Sequence, residues 1–250
     1  MNGIVHAPSG TEGDIAAGDL QLMKRICAAE ALGTAILVAT VVGSGIMADR
    51  LSGGNDGVAL LANSMATGAM LYLLITLFVP VSGAHFNPAV TILASPVPQR
   101  LPRLLAQCGG GMVGTATAHI MFGLPLFQSG TTPRTGPGQW LAEAVAAFGL
   151  LLTIRMGGRF RPGALPALVA AWIIAAYWFT ASTSFANPAV TIARALTDSF
   201  AGIRPIDVLP FILAQLAGAA LGHHCAGWLL AGPATIPEPE HETHEGHHLA

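Results

Sequence analysis

Charge is scarce in this 250-residue chain. Acidic and basic side chains make up 10% of it, against roughly 25% in a soluble globular domain. Nine of these 24 side chains lie in residues 1–25 and 231–250, which leaves 15 for the 205 residues between. The stretches 57–99, 104–133, 162–193 and 208–237 carry none at all. Each is longer than the ~20 apolar residues that cross a bilayer. So little charge argues against a soluble enzyme, a disordered chain and a nucleic-acid binder. A formal net charge of −2 offers nothing to a polyanion. Cysteine is also sparse. Cys27, Cys108 and Cys225 are odd in number, sit in apolar stretches and show no ligand spacing, so neither a disulfide framework nor a metal site is expected. Residues 1–23 hold Glu12, Asp14 and Asp19 and no apolar core, unlike a cleavable signal. No nucleophile can be matched with a base, and nothing calls for a cofactor. Catalysis is therefore not expected.

Apolar runs are what the chain has in abundance. They predict six spanning helices near 24–48, 57–79, 102–124, 139–157, 163–182 and 207–230. Two further pieces, near 87–95 and 187–197, are too short to span. Each opens with Asn-Pro, and proline suits the first turn of a helix, where its missing N–H would have no partner. At 1.5 Å per residue these pieces are ~13–16 Å long, about half a membrane. Six spans bring both termini to one side. Lys24, Arg25, Arg100, Arg103, Arg155, Arg159 and Arg161 then share that side, against Arg50, Arg134, Arg194 and Arg204 on the other. The positive-inside rule puts both termini in the cytoplasm.

The chain also repeats itself. Asn87-Pro-Ala-Val-Thr-Ile92 recurs as Asn187 to Ile192. Leu105-Ala106-Gln107, followed by Gly110 and Gly114, matches Leu213-Ala214-Gln215, followed by Gly218 and Gly222. Glu30-Ala31 matches Glu143-Ala144. Three landmarks in the same order define two homologous halves, about 24–124 and 139–230. Each half has three spans, so the second enters the membrane from the opposite side, and function belongs near the midplane where the halves meet. The extended residues before the half-helices, 82–86 and 182–186, survive at membrane depth only against protein or a water-filled pathway. Two helix N-termini, each carrying about half a positive charge, meet there and disfavour cations. Asn87 and Asn187 are placed to cap the half-helices and still offer an amide N–H to a passing oxygen.

Ser82-Gly-Ala-His-Phe-Asn-Pro-Ala-Val90 and the second Asn-Pro-Ala resemble the signatures of the aquaporin, or major intrinsic protein, family. The resemblance spans residues 24–230. It implies an all-α, aquaporin-like membrane fold with six transmembrane helices, two re-entrant half-helices and an inverted repeat. It further implies a passive channel for small neutral solutes, built as a homotetramer in membrane lipid with one pore per subunit. The pore motifs fall on Asn87, Pro88, Ala89 and on Asn187, Pro188, Ala189. Glu30 and Glu143, intramembrane carboxylates and functional by default, fall where the family braces its pore loops. Residues 1–23 form a polar N-terminal segment and 231–250 a His/Glu-rich tail, read as solvated rather than metal-binding. His85 is read as a hydrogen-bonded structural histidine. His223, His224 and Cys225 have no role assigned from sequence.

One departure stands out. Most family members follow the second Asn-Pro-Ala with arginine, and here that residue is Val190. The other narrow-filter positions map onto Thr67, Ala175 and Ser184. Such a small, weakly polar wall implies a pore open to glycerol-like polyols, urea or neutral metalloid hydroxides such as arsenite, as well as water. The stretch Asn-Pro-Ala-Val-Thr-Ile-Ala-Arg resembles a small bacterial subgroup, which implies the inner membrane of a bacterium. Arg194 lies one turn beyond Val190. It is either a charge moved to the vestibule or a surface partner of Asp198 at i,i+4. A water-selective channel and an ion-coupled carrier coupled through Glu30 or Glu143 are the competing readings.

Overall fold

The computed structural model describes residues 12–232, with side chains described from residue 18. It consists of helices α1 (Glu12–Leu51), α2 (Asp56–Ser82), α3 (Pro88–Ala94), α4 (Val97–Met121), α5 (Pro137–Phe160), α6 (Leu165–Phe179), α7 (Pro188–Arg194) and α8 (Pro205–Leu230). A single 3₁₀ turn, Pro162–Ala164, leads into α6. The fold is aquaporin-like: six long helices and two seven-residue ones. The N-terminal part of the expected polar segment, residues 1–11, and most of the expected tail, including His241, His244, His247 and His248, lie outside the described residues. Residues 12–23 extend α1 rather than standing apart from it.

Among the described residues, five helices are long and apolar enough to cross a membrane. The exception is α4, which has the length but carries Gln99, Arg100, Arg103 and Gln107 in its first half. Its polar face is turned inward: Arg103 and Gln107 are buried. Both short helices end sooner than the sequence suggests, at about 10 Å each. In α3 the helix stops at Ser95, whose extended backbone suits a residue before proline. In α7 it stops at Ala195, where the backbone tightens into bonds from Ala195 N to Ile192 O and from Leu196 N to Ala193 O.

The repeat is visible in the packing. Helix α1 lies along α4 in the first half as α5 lies along α8 in the second, and α2 against α6 joins the halves. Glycine makes the first two contacts close. A Cβ on Gly110 or Gly114 would land on the carbonyl oxygens of Ala31 and Ala35, and one on Gly218 or Gly222 on those of Ala144 and Phe148. Two backbones separated by four residues on each side thus touch directly, the small-residue packing that holds helices together in lipid. The close approach places Glu30 and Glu143 deep between helices, each 0% exposed.

Candidate pore and its constriction

Each glutamate holds the loop that precedes a short helix. Glu30 Oε1 accepts from Ser82 Oγ (2.7 Å) and the His85 N–H (3.0 Å). Its Oε2 accepts from the Phe86 N–H (2.7 Å) and Gln107 Nε2 (2.8 Å). Glu143 does the same in the second half, accepting from the Phe185 N–H (2.9 Å), the Ala186 N–H (2.9 Å) and Gln215 Nε2 (2.6 Å). The two glutamines complete matching chains, donating to Thr91 Oγ1 and Thr191 Oγ1. The halves differ in two respects: Ser82 donates to Glu30 with no matching bond from Ser182 to Glu143, and a cation stands beside Glu30. Glu30 has a cationic neighbour: Arg103 Nη1 lies 3.8 Å from Oε1 and donates to the Ser82 carbonyl at 2.7 Å. No cation on its own span faced Glu30 in sequence, and Arg103 comes from α4, 73 residues on.

The braced loops are strained in the same pattern. Ala84, Phe86, Ser184 and Ala186 all adopt positive φ between 49° and 52°. A left-handed backbone costs an L-residue about 1–3 kcal/mol unless the surroundings hold it. The carboxylates supply that hold by taking the N–H groups out of the cavity. All four of these left-handed residues border the cavity.

The short helices begin against each other. Asn87 Oδ1 caps its own helix by accepting from the Ala89 N–H (2.9 Å), and Asn187 Oδ1 accepts from the Ala189 and Val190 N–H groups (3.0 and 3.3 Å). Each side-chain amide then crosses to the other half: Asn87 Nδ2 donates to the Ala186 carbonyl and Asn187 Nδ2 to the Phe86 carbonyl, both at 2.8 Å. Each amide has a second N–H, and both asparagines border one cavity of about 160 Å³. Opposite the loops the cavity wall is aliphatic, from residues such as Leu37, Leu71, Leu150 and Val169. The pathway is therefore polar along one side and apolar along the other. His85 also borders it, with Nδ1 3.2 Å from Thr91 Oγ1. His223, His224 and Cys225 do not border it. The His223 carbonyl instead accepts from Arg155 Nη1 at 2.6 Å.

Thr67, Ser184 and Val190 all border the cavity. Ala175 does not. It is exposed on the outer surface of α6, while Ile173 and Tyr177 face inward. A two-residue error in placing a helical position turns it by about 200°, to the opposite face. The cavity wall therefore has a phenol where an alanine was expected, with Tyr177 Oη 3.3 Å from Thr67 Oγ1.

Arg194 is also not the surface partner of Asp198. It is 2% exposed, and Asp198 is engaged by the Thr131 N–H (3.2 Å) and Oγ1 (2.7 Å). Arg194 Nε donates to the Ala201 carbonyl, its guanidinium lies 3.3 Å from the Phe185 ring centroid, and it borders both the cavity and a second pocket at the adjoining mouth. A second arginine, unflagged by sequence, joins it. The loop between α4 and α5 folds onto the segment after α7 through Gln128 N to Leu196 O (2.9 Å) and Gly130 N to Ala195 O (3.0 Å). A side chain on Gly130 would collide with the Ile203 carbonyl. The Arg134 N–H bonds Asp207 Oδ2 (2.8 Å), and its guanidinium donates to the Gly202 and Ser182 carbonyls (2.9 and 3.1 Å) and stacks on Phe185 at 4.9 Å.

Two short helices meeting end to end inside a duplicated helical bundle, with one continuous cavity past their tips, define an integral membrane channel of the aquaporin architecture. The chain belongs to the major intrinsic protein family, whose profile matches residues 19–158. It is 54% identical over 214 residues to Aquaglyceroporin AqpS of Rhizobium meliloti, covering 83% of this chain and 91% of that protein. It is 29% identical over 232 residues to Aquaporin Z of Bradyrhizobium diazoefficiens, covering 84% and 95%. Its fold matches the X-ray structure of the aquaglyceroporin from Plasmodium falciparum with a TM-score of 0.61 at 20% identity, covering 82% and 95% of the two chains. It is a passive channel for small uncharged solutes and not an enzyme.

Proposed function

We propose that this channel passes solutes larger than water: glycerol-like polyols, urea and neutral metalloid hydroxides such as arsenite, with water alongside. One observation carries the reading. Val190 stands on the cavity wall with Thr67 and Ser184, so no guanidinium projects from that position to narrow the passage or to demand a particular set of acceptors. The kinship to a protein named an aquaglyceroporin supports it. Asn87, Pro88, Ala89 and Asn187, Pro188, Ala189 form the midplane barrier, where the positive ends of α3 and α7 disfavour cations. Glu30 and Glu143 brace the loops. Neither borders the cavity, which favours bracing over a coupling role in an ion-driven carrier. The chain works as a homotetramer in the inner membrane of a bacterium, with residues 24–230 as the channel unit, both termini cytoplasmic and the α7 mouth facing outward.

The test is an uptake panel on proteoliposomes comparing water, glycerol, urea and neutral arsenite. Solute flux several-fold above empty vesicles supports the wide filter. Water flux alone would establish the water-selective alternative. Flux driven by a pH gradient would establish the carrier.

A further inference from the structure

The mouth beside α7 holds an unbalanced positive charge. Arg194 Nη1 is buried and has no hydrogen-bond partner, although the residue borders both the cavity and the mouth pocket. Its remaining contacts are the Ala201 carbonyl and the Phe185 ring, neither of them anionic. The nearby carboxylates are committed elsewhere. Asp198 takes Thr131, Asp207 takes Arg204 and the Arg134 N–H, and Glu143 takes backbone N–H groups and Gln215. Ser184 Oγ, on the same cavity wall, is likewise buried without a partner. Arg134 adds a second guanidinium to the lining of the mouth pocket, and of the residues bordering that pocket only Asp56, exposed at the start of α2, is acidic.

A buried charge without a counter-ion is costly. A guanidinium with a free edge presents a planar set of donors matched to two oxygens of one anion. We propose that this mouth is a binding site for a small, singly charged oxyanion of carboxylate or sulfonate size. Arg194 Nη1 and Ser184 Oγ hold it from below and Arg134 from the rim. The anion then sits in the solute path above Val190, so neutral flux falls as the site fills. The inference rests on the channel reading above, and the experiment separates the two.

The probe is sodium methanesulfonate, a singly charged oxyanion with no neutral form near pH 7, present on both sides of proteoliposomes holding the full chain. Sodium chloride at equal ionic strength is the control. Osmotic water flux is followed by stopped-flow light scattering after a sucrose jump. Wild-type flux is expected to fall several-fold and saturably in millimolar methanesulfonate and to hold steady in chloride. Arg134→Gln and Arg194→Lys are each expected to raise the half-saturating concentration by about 3–10-fold, read against the variant's own flux in chloride. Equal wild-type flux in the two salts up to about 100 mM, with water still conducted, would overturn the anion site and leave the channel standing. Inhibition unchanged in both variants would overturn the assignment to these arginines. Absence of water flux in chloride would overturn the channel reading itself.

Discussion

Replacing Glu143 by glutamine removes a charge while keeping the side chain's shape, and the hydrogen-bond geometry sets the cost. Three donors point at the carboxylate: the Phe185 N–H at Oε1, and the Ala186 N–H and Gln215 Nε2 at Oε2. Glutamine has one oxygen. Its best placement puts that oxygen at the Oε2 position, with the amide nitrogen facing the Phe185 N–H. One charge-assisted bond is lost and a buried donor is left facing another donor, for about 2–4 kcal/mol in all. The penalty falls on a loop whose left-handed residues, Ser184 and Ala186, need holding. For a chain of this size that corresponds to roughly 4–16 °C in melting temperature. Glu30→Gln should cost more. It makes the same donor clash and also strips Arg103, 8% exposed in its side chain, of the carboxylate 3.8 Å away. The assay is thermal unfolding of the purified protein in detergent, with glycerol flux measured on the same preparations. Flux should survive in Glu143→Gln. A melting temperature within 2 °C of wild type would refute the bracing argument. Loss of flux in a folded variant, joined to pH-gradient dependence in the wild type, would show that the carboxylate moves protons.

Four further outcomes are expected. Val190→Arg should cut glycerol and urea flux several-fold while reducing water flux less, because the guanidinium extends across a lumen bordered by Thr67 and Ser184. Ala175→His should leave both unchanged, since that side chain points out of the bundle, and side-by-side stopped-flow traces decide both points. Asn187→Asp should raise proton or cation leak by placing a negative charge where the two short helices start. A pH-sensitive dye inside the vesicles reports it, and an unchanged leak would count against the barrier. Tyr177→Phe removes the hydroxyl beside Thr67. It should raise the ratio of glycerol to water flux by about two-fold or more, and an unchanged ratio would mean that the phenol is remote from the narrowest point.

The repeat made the architecture readable because it marked chemistry twice. Glu30 and Glu143, the two asparagines and the paired glycines each had a counterpart in the other half, and all of them occupy equivalent places in the packing. What stayed hidden had no counterpart. Helix α6 carries no motif to anchor its phase, so counting back from Asn187 arrived at Ala175 when Tyr177 faces inward. That tyrosine, a polar tip on an otherwise apolar helix, was the available signal. Arg134 lies in a loop without periodicity, and only the folding of that loop over the α7 mouth brings it to Phe185. Arg194 was legible as a residue near the filter, but whether it pointed toward Asp198 or the cavity depended on Thr131, which engages Asp198 from 67 positions before it. The short helices ended early because local stops acted at Ser95 and Ala195 before bilayer thickness was reached.

The reciprocal amides between the halves have a bearing on how the protein is made. Asn87 donates to a carbonyl 99 residues downstream, and the Phe86 carbonyl accepts from a side chain 101 residues downstream. At roughly 5–20 residues per second of synthesis, the first loop waits about 5–20 s for the partners that complete it. During that interval α1, α2 and α4 can already have entered the membrane, with Glu30 holding the loop's N–H groups, but the Phe86 oxygen and the Asn87 amide are still open. Hydration of this unfinished loop, or shelter from the insertion machinery, has to cover the gap. Chains stalled between residues 130 and 180 are therefore the ones most exposed to misassembly and proteolysis, and truncating the nascent chain at successive lengths should show protection of the first loop arriving only after residue 187 has emerged.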